Sequence, residues 1–217
     1  MDLFIWDFHG VLEIGNIITV LKVTNQVLKI FGFDIVVDIN FIKTQYGKNW
    51  KEYYKSLNIN LDEYTLNKMF KLSIILGNES AKHNMKPQKY GHQVLKRIYK
   101  ETHKNCVYSN TSTNTLITFI HHLHYENYIS DCIGYDLHNT TEISKKQMIG
   151  ILKSKYDYDK IVVIGDTDED MMSGKIHGAT TYLFLCPSIY NKYEFINITN
   201  NYADYKINDL REILREL

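Results

Sequence analysis

The 217-residue sequence has little proline, little cysteine, no net charge and no long apolar run. Its 25 basic side chains balance 25 acidic ones, so it lacks the basic excess that favours binding to nucleic acid. No segment approaches the roughly 20 consecutive apolar residues that span a bilayer, and the start MDLFIWDF has no basic stretch before its apolar run. We therefore expect a soluble, unexported, cytoplasmic protein with no nucleic-acid partner and no membrane segment.

The three cysteines, Cys106, Cys132 and Cys186, lie far apart within apolar runs. An odd number at this spacing argues against both a disulfide framework and a cysteine-rich zinc site. We expect reduced, buried thiols in a reducing compartment.

Short apolar runs alternate with amphipathic stretches along most of the chain. The runs have the length of β-strands and cover residues 3–8, 106–108, 128–135, 161–164 and 180–186. Helical spacing of apolar residues covers residues 90–102, 113–123 and 145–156. This alternation predicts an α/β fold with a Rossmann-like three-layer core, in which helices cover both faces of a parallel sheet.

The interval from about residue 17 to residue 83 breaks the alternation, because its apolar residues follow helical spacing only. Gly32 and Gly77 are predicted to end two of its helices. We expect a helical cap domain, residues 16–83, inserted into an α/β core domain made of residues 1–15 and 84–217. Its aromatic residues either line a substrate pocket or form the core of a small helical lobe, and they include Phe41, Tyr46, Trp50, Tyr53 and Tyr54.

Ligands of parallel sheets collect at the carboxyl ends of the strands. The first apolar run ends in Asp7 and His9, followed by Gly10, which permits a sharp turn. The second ends in Ser109 and Asn110, which suit an anion at the start of the next helix. Taken alone, the first pattern favours a simple turn at the end of a strand, and the second favours ordinary helix capping.

The run IVVIGD ends in Asp166, with Asp168, Glu169 and Asp170 close behind. Four acidic groups this close repel one another unless they are solvated or gathered around a cation, and hard oxygen ligands suit Mg²⁺. A solvated acidic turn is the alternative. Upstream, Lys145 and Lys146 open an amphipathic helix, where a lysine is either solvated or positioned to balance a phosphoryl group.

In their order along the chain, these features resemble the four motifs of the haloacid dehalogenase-like superfamily, phosphatase type. LFIWDFHGVL resembles the first motif, an apolar strand followed by Asp-x-Asp-Gly, and CVYSN resembles the second. Lys145, or Lys146 in the alternative register, resembles the third motif, and GDTDED resembles the fourth, Gly-Asp-x-x-x-Asp. The helical insert lies where that family places its cap, so the resemblance covers essentially the whole chain.

The resemblance implies a phosphoglycolate-phosphatase-like, Mg²⁺-dependent hydrolysis of a small phosphorylated metabolite by a monomer or homodimer. Asp7 would be the nucleophile and form an aspartyl-phosphate, while Ser109 and Asn110 bind phosphoryl oxygens and Lys145 balances charge. The metal ligands would be Asp7, the backbone carbonyl of His9, Asp166 and Asp170, the last directly or through water.

Position 9 departs from the family pattern, because phosphatases of this type usually carry a second acid/base Asp there. Histidine has a reference pKa of about 6.5 and can exchange a proton near neutrality, so His9 is our hypothesis for the acid/base group. The alternatives are a catalytically weak or silent binding protein and a relative that cleaves carbon–halogen or carbon–phosphorus bonds. His121, His122 and His124 are interpreted as surface residues rather than a metal site.

Overall fold

The computed structural model describes residues 1–45, 47–137, 141–186 and 202–217, with only the backbone described at Leu137 and Thr141. Among these residues the three cysteines are free thiols, with Cys106 buried and Cys132 and Cys186 half-buried. None of the helices in these ranges combines the length and the apolar character needed to cross a membrane.

A six-stranded, entirely parallel sheet forms the centre of the molecule, in the order β10-β9-β8-β1-β4-β5. Its strands are β1 (Leu3–Asp7), β4 (Lys104–Tyr108), β5 (Asp131–Ile133), β8 (Ile161–Gly165), β9 (Thr180–Phe184) and β10 (Tyr205–Ile207). The parallel α/β fold is therefore confirmed. Strand β10 was not predicted, because it has only three residues and two of them are exposed, which leaves no apolar run to detect.

Helices cover both faces of this sheet. They are α5 (Gly91–Lys100), α6 (Thr113–His122), α7 (Lys145–Ser154), α8 (Asp168–Ile176) and a terminal 3₁₀ helix (Leu210–Glu216). Side chains alternate along β1, so that Phe4 and Trp6 pack with α5 and α6 while Leu3 and Ile5 pack with α7. Because both faces are covered, all five residues of β1 are buried.

Four helices form a second group between β1 and α5, which we call the helical unit. They are α1 (Asn16–Ile30), α2 (Ile39–Thr44), α3 (Trp50–Lys55) and α4 (Glu63–Asn84), and they enclose a hydrophobic cluster of their own. The chain enters and leaves this unit through two short antiparallel strands, β2 (Glu13–Ile14) and β3 (Lys86–Pro87). A further antiparallel pair, β6 (Asp136–Leu137) and β7 (Thr141–Glu142), precedes α7.

The two glycines predicted to end helices behave differently. Gly32 follows the end of α1 with a positive φ of 78°, as predicted for a C-terminal cap. The prediction for Gly77 was wrong, because this residue lies inside α4. Ala81, one turn further on, packs into the core, so the helix continues despite the cost of a glycine.

A buried amide joins β4 to its surroundings. The Oδ1 atom of Asn105 accepts a hydrogen bond from Trp6 Nε1 at 3.0 Å, and its Nδ2 atom donates to the carbonyls of Leu95 at 3.0 Å and Tyr128 at 3.1 Å. Asn105 is completely buried, and the buried indole N–H of Trp6 depends on it for a partner.

We expect Asn105→Ala to lower the free energy of unfolding by about 3 kcal/mol, because it leaves an indole N–H and two carbonyls without this partner. Urea denaturation measures the change. The matched control is Asn114→Ala on the exposed face of α6, which should stay within about 0.5 kcal/mol of the wild type. Equal stability of the two variants would contradict the role assigned to Asn105.

Candidate active site

Three neighbouring strands bring polar side chains together at the carboxyl edge of the sheet. Asp7 ends β1 opposite Tyr108 of β4, and Ser109 and Asp166 are the residues that follow β4 and β8. Asp7, Ser109 and Asp166 are buried and line one cavity together with Lys145. Parallel strands place their carboxyl ends at the same edge, which is why residues so distant in the sequence meet there.

The carboxylates of Asp7, Asp166 and Asp170 form a compact cluster. Each offers an oxygen atom within 4.8 Å of the others, and all three residues are buried. Buried carboxylates at this separation require positive charge nearby, and their hard oxygen atoms suit Mg²⁺. The donor set therefore fits the metal that the sequence resemblance implies.

Lys145 supplies positive charge to this cluster. Its Nζ atom lies 2.7 Å from Asp170 Oδ1 and 3.5 Å from Asp7 Oδ1, and the residue is only 3% exposed. Burial alone would lower the pKa of this ammonium, but the carboxylates of Asp170 and Asp7 outweigh burial and raise the pKa above its ordinary value. Lys146 is exposed, so Lys145 is the lysine that reaches the site.

Local sequence explains why Lys145 points inward. Ser144 is the N-cap of α7 and forms a capping box with Gln147, which fixes where the helix begins. Met148, Ile149 and Leu152 are the apolar positions that pack α7 against the sheet. Lys145 shares the buried side of the helix with them.

Tyr108 is a site residue that the sequence did not reveal. Its hydroxyl donates a hydrogen bond to Asp170 Oδ1 at 2.7 Å, and the Lys145 ammonium lies 5.5 Å from the centre of its ring. Burial and the Asp170 carboxylate hold the pKa of Tyr108 well above its ordinary value, so the phenol stays protonated as a donor. In the sequence it resembles any buried strand tyrosine.

Asp170 is held by donors on both of its oxygen atoms. Oδ1 accepts from Lys145 and Tyr108, and Oδ2 accepts from the backbone N–H groups of Asp166 and Thr167 and from the Thr167 hydroxyl. Burial would raise the pKa of Asp170, but Lys145 and these hydrogen bonds lower it below its usual range. Asp170 is therefore a carboxylate in the structure.

Part of the acidic run 166–170 serves to start helix α8. Thr167 and Asp170 form a capping box, and Asp168 and Glu169 lie in the first helical turn, where the helix dipole favours negative charge. Glu169 is exposed and Asp168 half-buried, whereas Asp166 and Asp170 are buried in the cluster. Only two of the four acids thus belong to the candidate metal site.

His9 is held between two partners. Its Nδ1 atom lies 2.9 Å from Glu13 Oε1, and its Nε2 atom lies 2.9 Å from the Thr111 hydroxyl. Glu13 is completely buried and also accepts the backbone N–H of Asn16 at 3.3 Å. Neither Glu13 nor Thr111 was predicted as a partner, although the spacing of four residues between His9 and Glu13 is visible in the sequence. His9 lines the cavity with its ring orientation fixed.

The segment after β4 meets both the next helix and the helical unit. Ser112 caps α6 by accepting the N–H of Thr115, and the Ser109 hydroxyl accepts the N–H of Thr111 at 3.2 Å. The Asn110 side chain donates to the carbonyl of Gly47 at 2.9 Å. Ser109 and Asn110 both line the cavity, and their binding of phosphoryl oxygens stays a prediction.

Helices α1, α3 and α4 of the helical unit line the side of the cavity that faces the carboxyl edge of the sheet. Of the aromatic residues weighed in the sequence, Trp50 and Tyr53 line the cavity. Phe41 and Tyr54 pack in the cluster of the helical unit, and Tyr46 lies outside the described residues. His121, His122 and His124 are exposed, as predicted.

The parallel sheet and the carboxylate–lysine cluster at its carboxyl edge define a Rossmann-like α/β protein with a hydrolase-type site. The family model for haloacid dehalogenase-like hydrolases matches residues 4–184. The chain belongs to this family, as its motifs predicted. A comparison with curated protein sequences finds no match.

Solved structures show the same fold over nearly the whole chain. A predicted phosphoglycolate phosphatase from Haemophilus somnus 129pt is similar with a TM-score of 0.82 and 16% identity, covering 99% of this chain and 96% of that one. A haloacid dehalogenase-like hydrolase from Streptococcus pneumoniae is similar with a TM-score of 0.80 and 13% identity, covering 99% of this chain and 97% of that one. A predicted phosphatase from Clostridium acetobutylicum is similar with a TM-score of 0.76 and 16% identity, covering 99% of this chain and 97% of that one. At these identities the likeness shows the fold alone.

Gly165 allows α8 to approach the end of β8. A Cβ atom at this position would lie 2.2 Å from Asp170 Cβ and 2.5 Å from Asp170 Cγ. We expect Gly165→Ala to displace Asp170 and to lower the free energy of unfolding by about 2 kcal/mol or more. Chemical denaturation measures the change.

The matched control for this prediction is Gly77→Ala. Its Cβ would make an ordinary 3.5 Å contact with Trp50, so the variant should be neutral or more stable by up to about 1 kcal/mol. If Gly165→Ala were equally well tolerated, close packing would not be the reason for this glycine.

Proposed function

We propose that the protein is a Mg²⁺-dependent hydrolase of a small phosphomonoester and that Asp7 is its nucleophile. The observation that carries this proposal is the position of Asp7, which ends a buried strand, faces the cavity and lies 3.5 Å from the Lys145 ammonium. The cavity lies between the sheet and the helical unit, which supports a small-molecule substrate. We also propose that α1–α4 act as a cap domain on the core.

The reaction consists of two displacements at phosphorus. An oxygen of Asp7 attacks the phosphoryl group, the ester P–O bond breaks, and the leaving alkoxide takes a proton from His9. Water then attacks the aspartyl-phosphate, His9 accepts the water's proton, and inorganic phosphate leaves while Asp7 is regenerated. Lys145 balances the charge of the phosphoryl group, and Ser109 and the N–H of Asn110 bind its oxygen atoms.

Asp7, Asp166 and the backbone carbonyl of His9 are the proposed direct metal ligands. Both oxygen atoms of Asp170 already accept hydrogen bonds, which favours contact through a water molecule for this residue. When bound, Mg²⁺ supplies positive charge that stabilises the transferring phosphoryl group. Tyr108 and Thr167 hold Asp170 in place for this purpose.

His9 is proposed as the acid/base group in place of the usual Asp. Its ring lines the cavity, and contact with the buried Glu13 carboxylate orients it as the Asp of a catalytic triad orients a histidine. The Thr111 hydroxyl at Nε2 lies at the same cavity, so it either yields to the leaving oxygen or relays the proton.

A second candidate function is a catalytically silent protein that binds phosphorylated ligands. The observation that favours it is that both ring nitrogens of His9 already have partners within the described residues. Such a protein would bind Mg²⁺ and phosphate esters without releasing phosphate. Kinetic tests of Asp7 and His9 distinguish the two functions.

Asp7→Asn should reduce phosphate release by a factor on the order of 10³ or more, because an amide cannot form the phosphorylated intermediate. Release from ethyl phosphate in the presence of Mg²⁺ is the measurement, and chelation should abolish wild-type release until Mg²⁺ is restored. The matched control is Asp157→Asn, an exposed acid that should leave the rate unchanged. Retention of wild-type activity by Asp7→Asn would refute the proposal.

His9→Ala should slow the first displacement of ethyl phosphate by about 10²- to 10⁴-fold, because the alkoxide needs a proton to leave. The effect on 4-nitrophenyl phosphate should be much smaller, since nitrophenolate leaves as an anion. Alcohol release with enzyme in excess isolates this step, and the exposed His124→Ala variant is the control. An equal loss for both esters would argue against proton donation by His9.

A further inference from the structure

The cavity has one half around the carboxylate cluster and a second, more apolar half towards the helical unit. On the sheet side it is lined by the charged and polar groups of Asp7, Ser109, Lys145 and Asp166. On the side of the helical unit its apolar lining comes from three helices, with Val20 of α1, Trp50 and Tyr53 of α3, and Phe70 and Ile74 of α4. A phosphoryl group held at Asp7 would leave its alcohol portion in this second half.

Two of the apolar side chains of this half lie outside the hydrophobic cluster of the helical unit. Phe70 and Ile74 are half-buried, and among the described residues neither belongs to the hydrophobic cluster of the helical unit. Trp50 packs at the edge of that cluster and is also half-buried. Two aromatic rings and an aliphatic chain are therefore available to contact a ligand, as in sites that bind planar apolar groups.

The helical half contains little charge. Over the described part of residues 16–78, the only charged residue that lines the cavity is Lys48, which is exposed and donates to Gln45 Oε1 at 2.7 Å. A carboxylate on the leaving group would lose its water here, and none of the described residues that line the helical half is a buried cation able to replace that water. This disfavours small acidic alcohols such as glycolate.

Neutral polar groups complete the lining. Tyr53 is 4% exposed, and its hydroxyl makes no hydrogen bond with the described residues. The Asn78 side chain, which lines the cavity from α4, likewise makes no hydrogen bond with the described residues. Both groups can donate and accept hydrogen bonds, so they can pair with uncharged polar atoms of a ligand.

We propose that the leaving group of the natural substrate is planar, uncharged and largely apolar, such as an alcohol that carries an aromatic or heteroaromatic ring. The inference rests on the proposed phosphohydrolase function and adds the class of ester. Trp50, Phe70 and Ile74 would contact the ring, and Gly77 keeps the space beside Trp50 open. A Cβ atom at Gly77 would already touch Trp50 Cζ2 at 3.5 Å, so a larger side chain would extend into the helical half.

Three esters of primary alcohols test this proposal on the full-length protein with Mg²⁺: benzyl phosphate, ethyl phosphate and 2-phosphoglycolate. Because all three leaving groups are primary alkoxides, differences in kcat/KM report mainly on recognition. We expect benzyl phosphate to exceed each of the other two by about tenfold or more, as burial of an aromatic ring should give. Most of the difference should lie in KM.

Gly77→Leu should remove this preference, so that the ratio of kcat/KM for benzyl and ethyl phosphate falls to about one. The matched control is Glu79→Leu on the exposed side of the same helix, which should keep the wild-type ratio. A second measurement requires no turnover: benzyl phosphate should change the tryptophan fluorescence of Asp7→Asn, and Trp50→Phe should abolish that change. The other tryptophan, Trp6, is fully buried and bonded to Asn105.

The outcomes separate the two proposals. If phosphate is released but kcat/KM for ethyl phosphate or 2-phosphoglycolate equals or exceeds that for benzyl phosphate, the leaving-group inference is overturned. The phosphohydrolase function would still stand. A benzyl preference that survives in Gly77→Leu would overturn the assignment to the helical half. Release from none of the three esters would overturn the proposed function and this inference with it.

Discussion

The Lys145 ammonium, buried between Asp7 and Asp170, is the interaction on which the arrangement of the site depends. Three carboxylates within 4.8 Å of one another cannot all stay ionised in a buried environment without positive charge beside them. Removing one partner from such a buried set leaves an uncompensated charge, which costs far more than a surface ion pair. The position of α7 on the sheet is therefore coupled to the charge state of Asp7, at the end of β1, and of Asp170, in the helix that follows β8.

Much of the fold was predictable because the chain repeats one simple pattern. Apolar runs at β1, β4 and β8 alternate with amphipathic helices, and parallel strands necessarily bring residues such as Asp7, Ser109 and Asp166 to one edge. Strand β10 escaped prediction because edge strands need few buried residues. Gly77 was misjudged because packing on both sides of it outweighs its low helix propensity.

The supporting contacts of the site were less predictable, because they depend on register rather than on composition. Tyr108 reaches Asp170 only because β4 and β8 flank β1 in matching register. His9 meets Thr111 because the segments that follow the paired strands β1 and β4 lie side by side. No local pattern contains that information. Thr167 was not singled out in the sequence either, although a threonine three residues before an aspartate at a helix start is a recognisable capping signature.

The central position of β1 has a consequence for how the chain acquires its structure. This strand ends at residue 7, whereas the two strands that pair with it begin at residues 104 and 161. During synthesis its apolar residues emerge well before both hydrogen-bonding neighbours, and such non-local pairing is slow. The helical unit, whose hydrophobic cluster lies entirely within residues 17–76, is available to form in the meantime. The strand that ends in Asp7 thus carries apolar residues that stay unpaired, and open to aggregation, until its neighbours have formed.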